Sequence, residues 1–107
     1  MIEPSQAGDD ANGSLTTPGI CEALVEFPNR AGLHARSAAL LIRASTRHRA
    51  TVTLDLDGQV ASASSLVELL KLGARKGHVV RVRAVGPDAE AALHDVTTMI
   101  GNGFNEE

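Results

Sequence analysis

The period of apolar and polar positions changes several times along the chain, and each change marks an element. Ile20 to Phe27 has the apolar content of a strand, and Pro28-Asn29-Arg30-Ala31-Gly32 ends it as a turn or loop. From Ala35 to Arg47, Ala38, Leu41, Ile42 and Ser45 share one face at helical spacing while Arg36, Arg43 and Arg47 lie off it, which predicts an amphipathic helix. Ala50 to Leu56 alternates with period two, and Asp57-Gly58 predicts a hairpin into Gln59 to Ala63. Ser64-Ser65 then precedes L-V-E-L-L-K-L-G, a short helix with a serine N-cap, Glu68 in its first turns and Gly73 as its stop. His78 to Val85 alternates again as a fourth strand. After Gly86-Pro87-Asp88, the residues Ala89, Ala92, Leu93, Val96, Met99 and Ile100 trace one face of a last helix, which Gly101 and Gly103 end.

Three apolar helix faces and one sheet must bury each other, so the expected class is a two-layer α+β domain. The 107 residues suffice for one modest core. Met1 to Gly19 is rich in Gly, Ser, Thr, Pro, Asp and Asn with no hydrophobic period; it reads as a disordered leader, with the domain spanning 20–107.

Composition narrows the function classes. With two Phe and no Trp or Tyr, the chain lacks the aromatic platforms on which single-stranded nucleic acid stacks. The net charge of −3 comes from Glu3, Asp9 and Asp10 in the leader, and the rest is neutral, so no nucleic-acid partner is expected. Within that neutral part, Arg30, Arg36, Arg43, Arg47 and Arg49 form a basic block with no acid among them. Cys21 is the only cysteine, a small hydrophobe in a strand, so no intrachain disulfide is possible and a reducing compartment fits. No apolar run approaches the ~20 residues of a membrane span, and no signal peptide is evident. A cytoplasmic protein with no membrane partner is expected.

The candidate chemistry sits in N-R-A-G-L-H-A-R-S, residues 29–37. A histidine at the start of a helix faces the open N–H groups of Ala35, Arg36 and Ser37 and the positive end of the helix dipole. An uncharged imidazole can attack phosphorus. Once phosphorylated, it would hold a dianionic group where backbone donors and the Arg36 guanidinium can bind it. On spacing alone, an ordinary loop histidine stays open as an alternative. Metal binding is not expected, because His34, His48, His78 and His94 show neither an i,i+4 pair nor a ligand set of the usual spacing. No serine stands on a glycine-flanked elbow, which argues against serine-hydrolase chemistry.

G-L-H-A-R at 32–36, followed by S-S-L-V-E-L-L-K-L-G at 64–73, resembles the histidine-containing phosphocarrier (HPr) family of the bacterial phosphotransferase system. The specificity lies in the order and spacing of both motifs together with Gly77, the G-x-D turn at Gly86 to Asp88 and the final helix. The resemblance covers about residues 20–104 and implies an open-faced sandwich, a four-stranded antiparallel sheet with three helices on one face. It implies that His34 accepts a phosphoryl group, by resemblance on Nδ1, from a phosphoenolpyruvate-charged enzyme I. His34 would pass it to an enzyme IIA type acceptor in a sugar or nitrogen-related branch, with Arg36 neutralising the charge. Such a chain is a monomeric carrier that needs no cofactor and completes no turnover alone.

The resemblance also matches Ser65 to a serine that a dedicated kinase phosphorylates in some members, and a phosphorylase would reverse it; a plain helix N-cap is the alternative. Arg43, Leu66, Val67 and Leu70 are candidate docking residues, and Leu69 is assigned to the core. Arg36, Arg43 and Arg47 are expected to border His34 and steer an acidic partner. One departure stands out: the family usually has proline where this chain has Ser37, whose hydroxyl could bind the phosphoryl group or loosen the site. A regulatory protein of the same fold, whose phosphorylation on Ser65 or His34 controls binding to a kinase, transcription factor or metabolic enzyme, is the rival reading. A small nucleic-acid or ligand-binding module is the third.

Overall fold

The computed structural model describes residues 15–17 and 19–106, with residues 15–17 described as backbone only. Its elements run β1 (Leu15–Thr17), β2 (Ile20–Glu26), α1 (Ala35–Thr46), β3 (Thr51–Leu56), β4 (Gln59–Ser62), α2 (Leu66–Leu72), β5 (Val79–Val85) and α3 (Ala89–Gly101), closing on a 3₁₀ turn at Gly103–Asn105. The sheet is antiparallel in the order β1-β2-β5-β3-β4. The four expected strands and three helices are present. The leader expectation is corrected at its end, because Leu15–Thr17 pairs with Ile20–Glu22 and adds a fifth, edge strand. The pairing satisfies backbone groups that a free tail would leave to water. The acidic Glu3, Asp9 and Asp10 lie outside the described residues.

Period two decides which face is buried. Val80, Val82 and Ala84 of β5 point into the core with Val52 and Leu54 of β3 and Cys21 of β2, while Leu24, Val79, Arg81, Arg83 and Val85 are exposed on the other face. Onto the inner face pack Ala38, Leu41 and Ala44 of α1, Leu69 and Leu72 of α2, and Ala92, Val96 and Ile100 of α3. Phe27 and Phe104 meet at a ring-centroid distance of 6.1 Å and close the core beneath the loop before α1.

Two local devices aim that loop. Gly32 adopts φ +64°, and a Cβ there would lie 2.6 Å from the Ala74 carbonyl oxygen, so only glycine lets the loop approach the segment after α2. The Leu33 N–H donates to that same carbonyl at 2.9 Å. His34 thus enters α1 from a strand of backbone tied to the rest of the domain.

Candidate functional site

His34 is the N-cap of α1, with extended backbone (φ −133°, ψ −176°). Its Nδ1 accepts a hydrogen bond from the Arg36 N–H at 3.2 Å. Its Nε2 faces the Glu106 carboxylate, 3.1 Å from Oε2 and 3.4 Å from Oε1. A carboxylate offers only acceptors, so the ring hydrogen resides on Nε2 and the lone pair on Nδ1. That tautomer leaves a lone pair on Nδ1, able to act as a nucleophile, at the mouth of a helix whose open N–H groups favour an anion. The side chain is 28% exposed, enough for a partner to reach it.

Glu106 comes from the far end of the chain. Gly103, Phe104 and Asn105 take left-handed φ of 62°, 58° and 59° in succession, which turns the chain back after α3 and carries Glu106 to the ring. The two non-glycine residues pay roughly 1–2 kcal/mol each for that conformation, which burial of Phe104 against Phe27 offsets. Asn29, 2% exposed, holds the carboxylate in place. Its amide donates to Glu106 Oε1 at 3.1 Å and to the Gly32 carbonyl at 2.9 Å. Both partners are acceptors, which fixes the amide orientation and leaves Oδ1 buried without a hydrogen-bond partner among the described residues.

Arg36 is exposed in the first turn of α1, and with Arg30, Ala31 and Glu106 it lines an open cavity of about 330 Å³. Arg30 and Arg36 thus bring guanidinium groups to a cavity that the Glu106 carboxylate, the partner of His34 Nε2, also lines. Ala35 is the first helical residue, and the N–H groups of Arg36 and Ser37 face the His34 side chain. Ser37 itself is fully buried, its hydroxyl accepting from the His34 N–H at 2.9 Å. That closes a capping box, and the hydroxyl points away from the solvent side of the ring.

The basic block does not stay together. Each residue of α1 advances ~1.5 Å, so Arg47 stands about 20 Å from His34 along the helix. There Arg47 pairs with Asp95 at 3.8 Å, and Arg49 with Asp88 at 3.9 Å. Arg47 therefore does not border the site, a correction to the expected stripe, whereas Arg43 remains exposed partway along α1. Beside Arg47, His48 also bonds Asp95; this hydrogen bond holds the Asp95 carboxyl below its ordinary 3.8, aided by the charges of His48, Arg47 and His94 and opposed by burial.

Ser65 is the N-cap of α2, its hydroxyl accepting from the Glu68 N–H at 3.2 Å. Leu69 is fully buried, whereas Leu66, Val67 and Leu70 are 44%, 65% and 42% exposed on the outer side of α2.

The family model described as the phosphorylation site of the phosphotransferase-system HPr component matches residues 21–102. The chain belongs to the HPr family. As an HPr-family member it is a phosphocarrier of the phosphotransferase system, a relay in which the family works with enzyme I and IIA-type components. It is 39% identical over 84 residues to the phosphocarrier protein NPr of Escherichia coli, covering 78% of this chain and 93% of that one. It is 38% identical over 87 residues to a multiphosphoryl transfer protein of Vibrio cholerae, covering 78% of this chain but only 22% of that much longer protein. A crystal structure of HPr from Thermoanaerobacter tengcongensis superposes with a TM-score of 0.76 at 32% identity, over 80% of this chain and 97% of the other. No helix among the described residues is long and apolar enough to cross a membrane.

Sequence reasoning missed Glu106 and Asn29. Gly101 and Gly103 did signal the end of the last helix, but nothing local says that the carboxylate of Glu106 returns to a ring 72 positions earlier.

Proposed function

We propose that His34 carries the phosphoryl group on Nδ1, taking it from a phosphoenolpyruvate-charged enzyme I and giving it to an enzyme IIA type acceptor in a sugar or nitrogen-linked branch. The single observation behind this reading is the two-sided fixing of the ring, Nε2 on Glu106 and Nδ1 toward the helix N–H groups. In the forward step the Nδ1 lone pair attacks phosphorus, an N–P bond forms, and the donor's bond to phosphorus breaks with its electron pair returning to the donor atom. The hydrogen stays on Nε2, so the ring becomes cationic beside the Glu106 carboxylate and beneath the phosphoryl charge. In the return step the acceptor nucleophile attacks phosphorus, and His34 leaves as a neutral imidazole. A cationic ring is a good leaving group, which suits a carrier that must release what it holds.

Arg36, and Arg30 beside it, would neutralise the phosphoryl oxygens, while the N–H groups of Arg36 and Ser37 supply fixed donors. Leu66, Val67 and Leu70 with Arg43 would meet the partner enzymes. Positioning and charge neutralisation suffice for this transfer, which is why a domain of this size can perform its half of it. A soluble, cytoplasmic, monomeric carrier follows from this reading. Ser65 fits a site for a serine kinase less directly, because its hydroxyl already caps α2 and a phosphate there would displace that bond.

The test is intact mass after incubation with phosphoenolpyruvate and enzyme I, before and after brief acid treatment. One added phosphoryl group that acid removes and that His34→Ala abolishes is expected. Retained labelling in His34→Ala sinks the assignment.

A further inference from the structure

We propose that Ser37 is a positioning residue for the transfer, its hydroxyl pinning the His34 main chain and its peptide N–H serving as a second main-chain donor at Nδ1 beside that of Arg36. The proposal rests on the reading that His34 is phosphorylated through Nδ1.

A hydroxyl has one hydrogen to donate and two lone pairs to accept with. In Ser37 both capacities are spent inward. Oγ accepts from the His34 N–H at 2.9 Å, and its hydrogen lies between the Gly32 carbonyl and the His34 carbonyl, each 3.2 Å away. The residue is 0% exposed, so this hydroxyl does not reach a phosphoryl group on the solvent side of the ring. Its effect is exerted through His34. An N-cap residue has no intrahelical acceptor for its own N–H, and Ser37 supplies one, which holds His34 in the extended backbone seen here.

The peptide N–H of Ser37 points the other way, toward the His34 side chain. With the Arg36 N–H on Nδ1 at 3.2 Å, two main-chain donors face the His34 side chain. When an N–P bond forms, both can pass from the nitrogen to phosphoryl oxygens without movement of the backbone, the condition for stabilising charge as it develops. The Gly32 carbonyl extends the arrangement to the opposite ring nitrogen. It accepts from Ser37 Oγ and also from the Asn29 amide that holds Glu106 against Nε2. One carbonyl thereby couples the residue that sets the tautomer to the residue that sets the direction of attack.

Two variants separate the hydroxyl from the N–H. Ser37→Ala removes only the hydroxyl, while Ser37→Pro removes both and still suits the first turn of a helix. The measurements, on the full chain, are the His34 ring ¹⁵N shifts, kcat and KM for phosphorylation by enzyme I, and the neutral-pH half-life of the phosphohistidine. For Ser37→Ala we expect shifted ring resonances and a kcat lowered roughly two- to tenfold, the worth of one neutral hydrogen bond, at unchanged KM. Ser37→Pro should in addition shorten the phosphohistidine half-life relative to Ser37→Ala. Lower thermal stability with unmoved ring shifts and unchanged kcat in both variants would reduce Ser37 to a helix cap and overturn the proposal. Equal half-lives in the two variants would overturn the second donor. No labelling of the wild-type chain would instead overturn the phosphocarrier role of His34, an outcome that the ring shifts of the unphosphorylated protein keep distinct from a failure at Ser37.

Discussion

His34 is the residue at which two ring nitrogens have been given different neighbours, and its chemistry follows from that difference. Nε2 meets a carboxylate, Nδ1 meets N–H donors, and the hydrogen has only one place to be. Glu106→Gln keeps an acceptor but removes the charge that offsets the cationic phosphorylated ring. Charge-assisted hydrogen bonds exceed neutral ones by about 1 kcal/mol, so transfer should slow about fivefold, measurable by stopped-flow with enzyme I. A rate equal to wild type would mean that the carboxylate only orients the ring. Arg36→Ala removes a guanidinium beside the cavity and should likewise slow transfer while the fold persists, since this side chain is exposed.

At the scale of elements, the loop before α1 and the short helix α2 carry separate predictions. A methyl group on Gly32 would collide with the Ala74 carbonyl and adopt a left-handed conformation, so Gly32→Ala should cost at least about 2 kcal/mol in urea unfolding and slow labelling of His34 together with it. On α2, Leu69→Ala opens the core and should cost about 2–5 kcal/mol, whereas Leu70→Ala should leave stability within ~0.5 kcal/mol of wild type. A weakened complex with enzyme I in the Leu70 variant alone would place docking on this face of α2. The period-3.6 and period-2 patterns had located these elements to within a residue or two, because burial on one face is written locally. They could not have located β1, three residues long, whose strand character depends on β2 lying alongside.

Over the whole molecule, one of the contacts that join separate elements is ionic. The Asp95 carboxyl is held below 3.8 chiefly by its hydrogen bond from His48, with Arg47 beside it, linking the end of α1 to α3. A depressed folded-state value means that near pH 3.8 the unfolded chain binds more protons than the native one. The contribution is therefore complete above about pH 4 and is lost as pH falls through the depressed value. Asp95→Asn should lower stability by roughly 0.5–1 kcal/mol at neutral pH and lose less between pH 4 and pH 2 than wild type, as read from urea midpoints across that range. A parallel decline in both proteins would show that the pair contributes nothing.

The sequence by itself determined four strands, three helices, the sandwich class and a histidine at a helix start, because amphipathic periods, caps and turn residues act over a few neighbours. It did not determine which tautomer that histidine holds, since Glu106 and Asn29 reach it only through the packing of Phe27 on Phe104 and a left-handed turn at the other end of the chain. Nor did it separate Arg36, which lines the site, from Arg47, which binds Asp95. These outcomes depend on contacts between positions distant in sequence, and only the closing of helices onto the sheet brings such positions within hydrogen-bonding range.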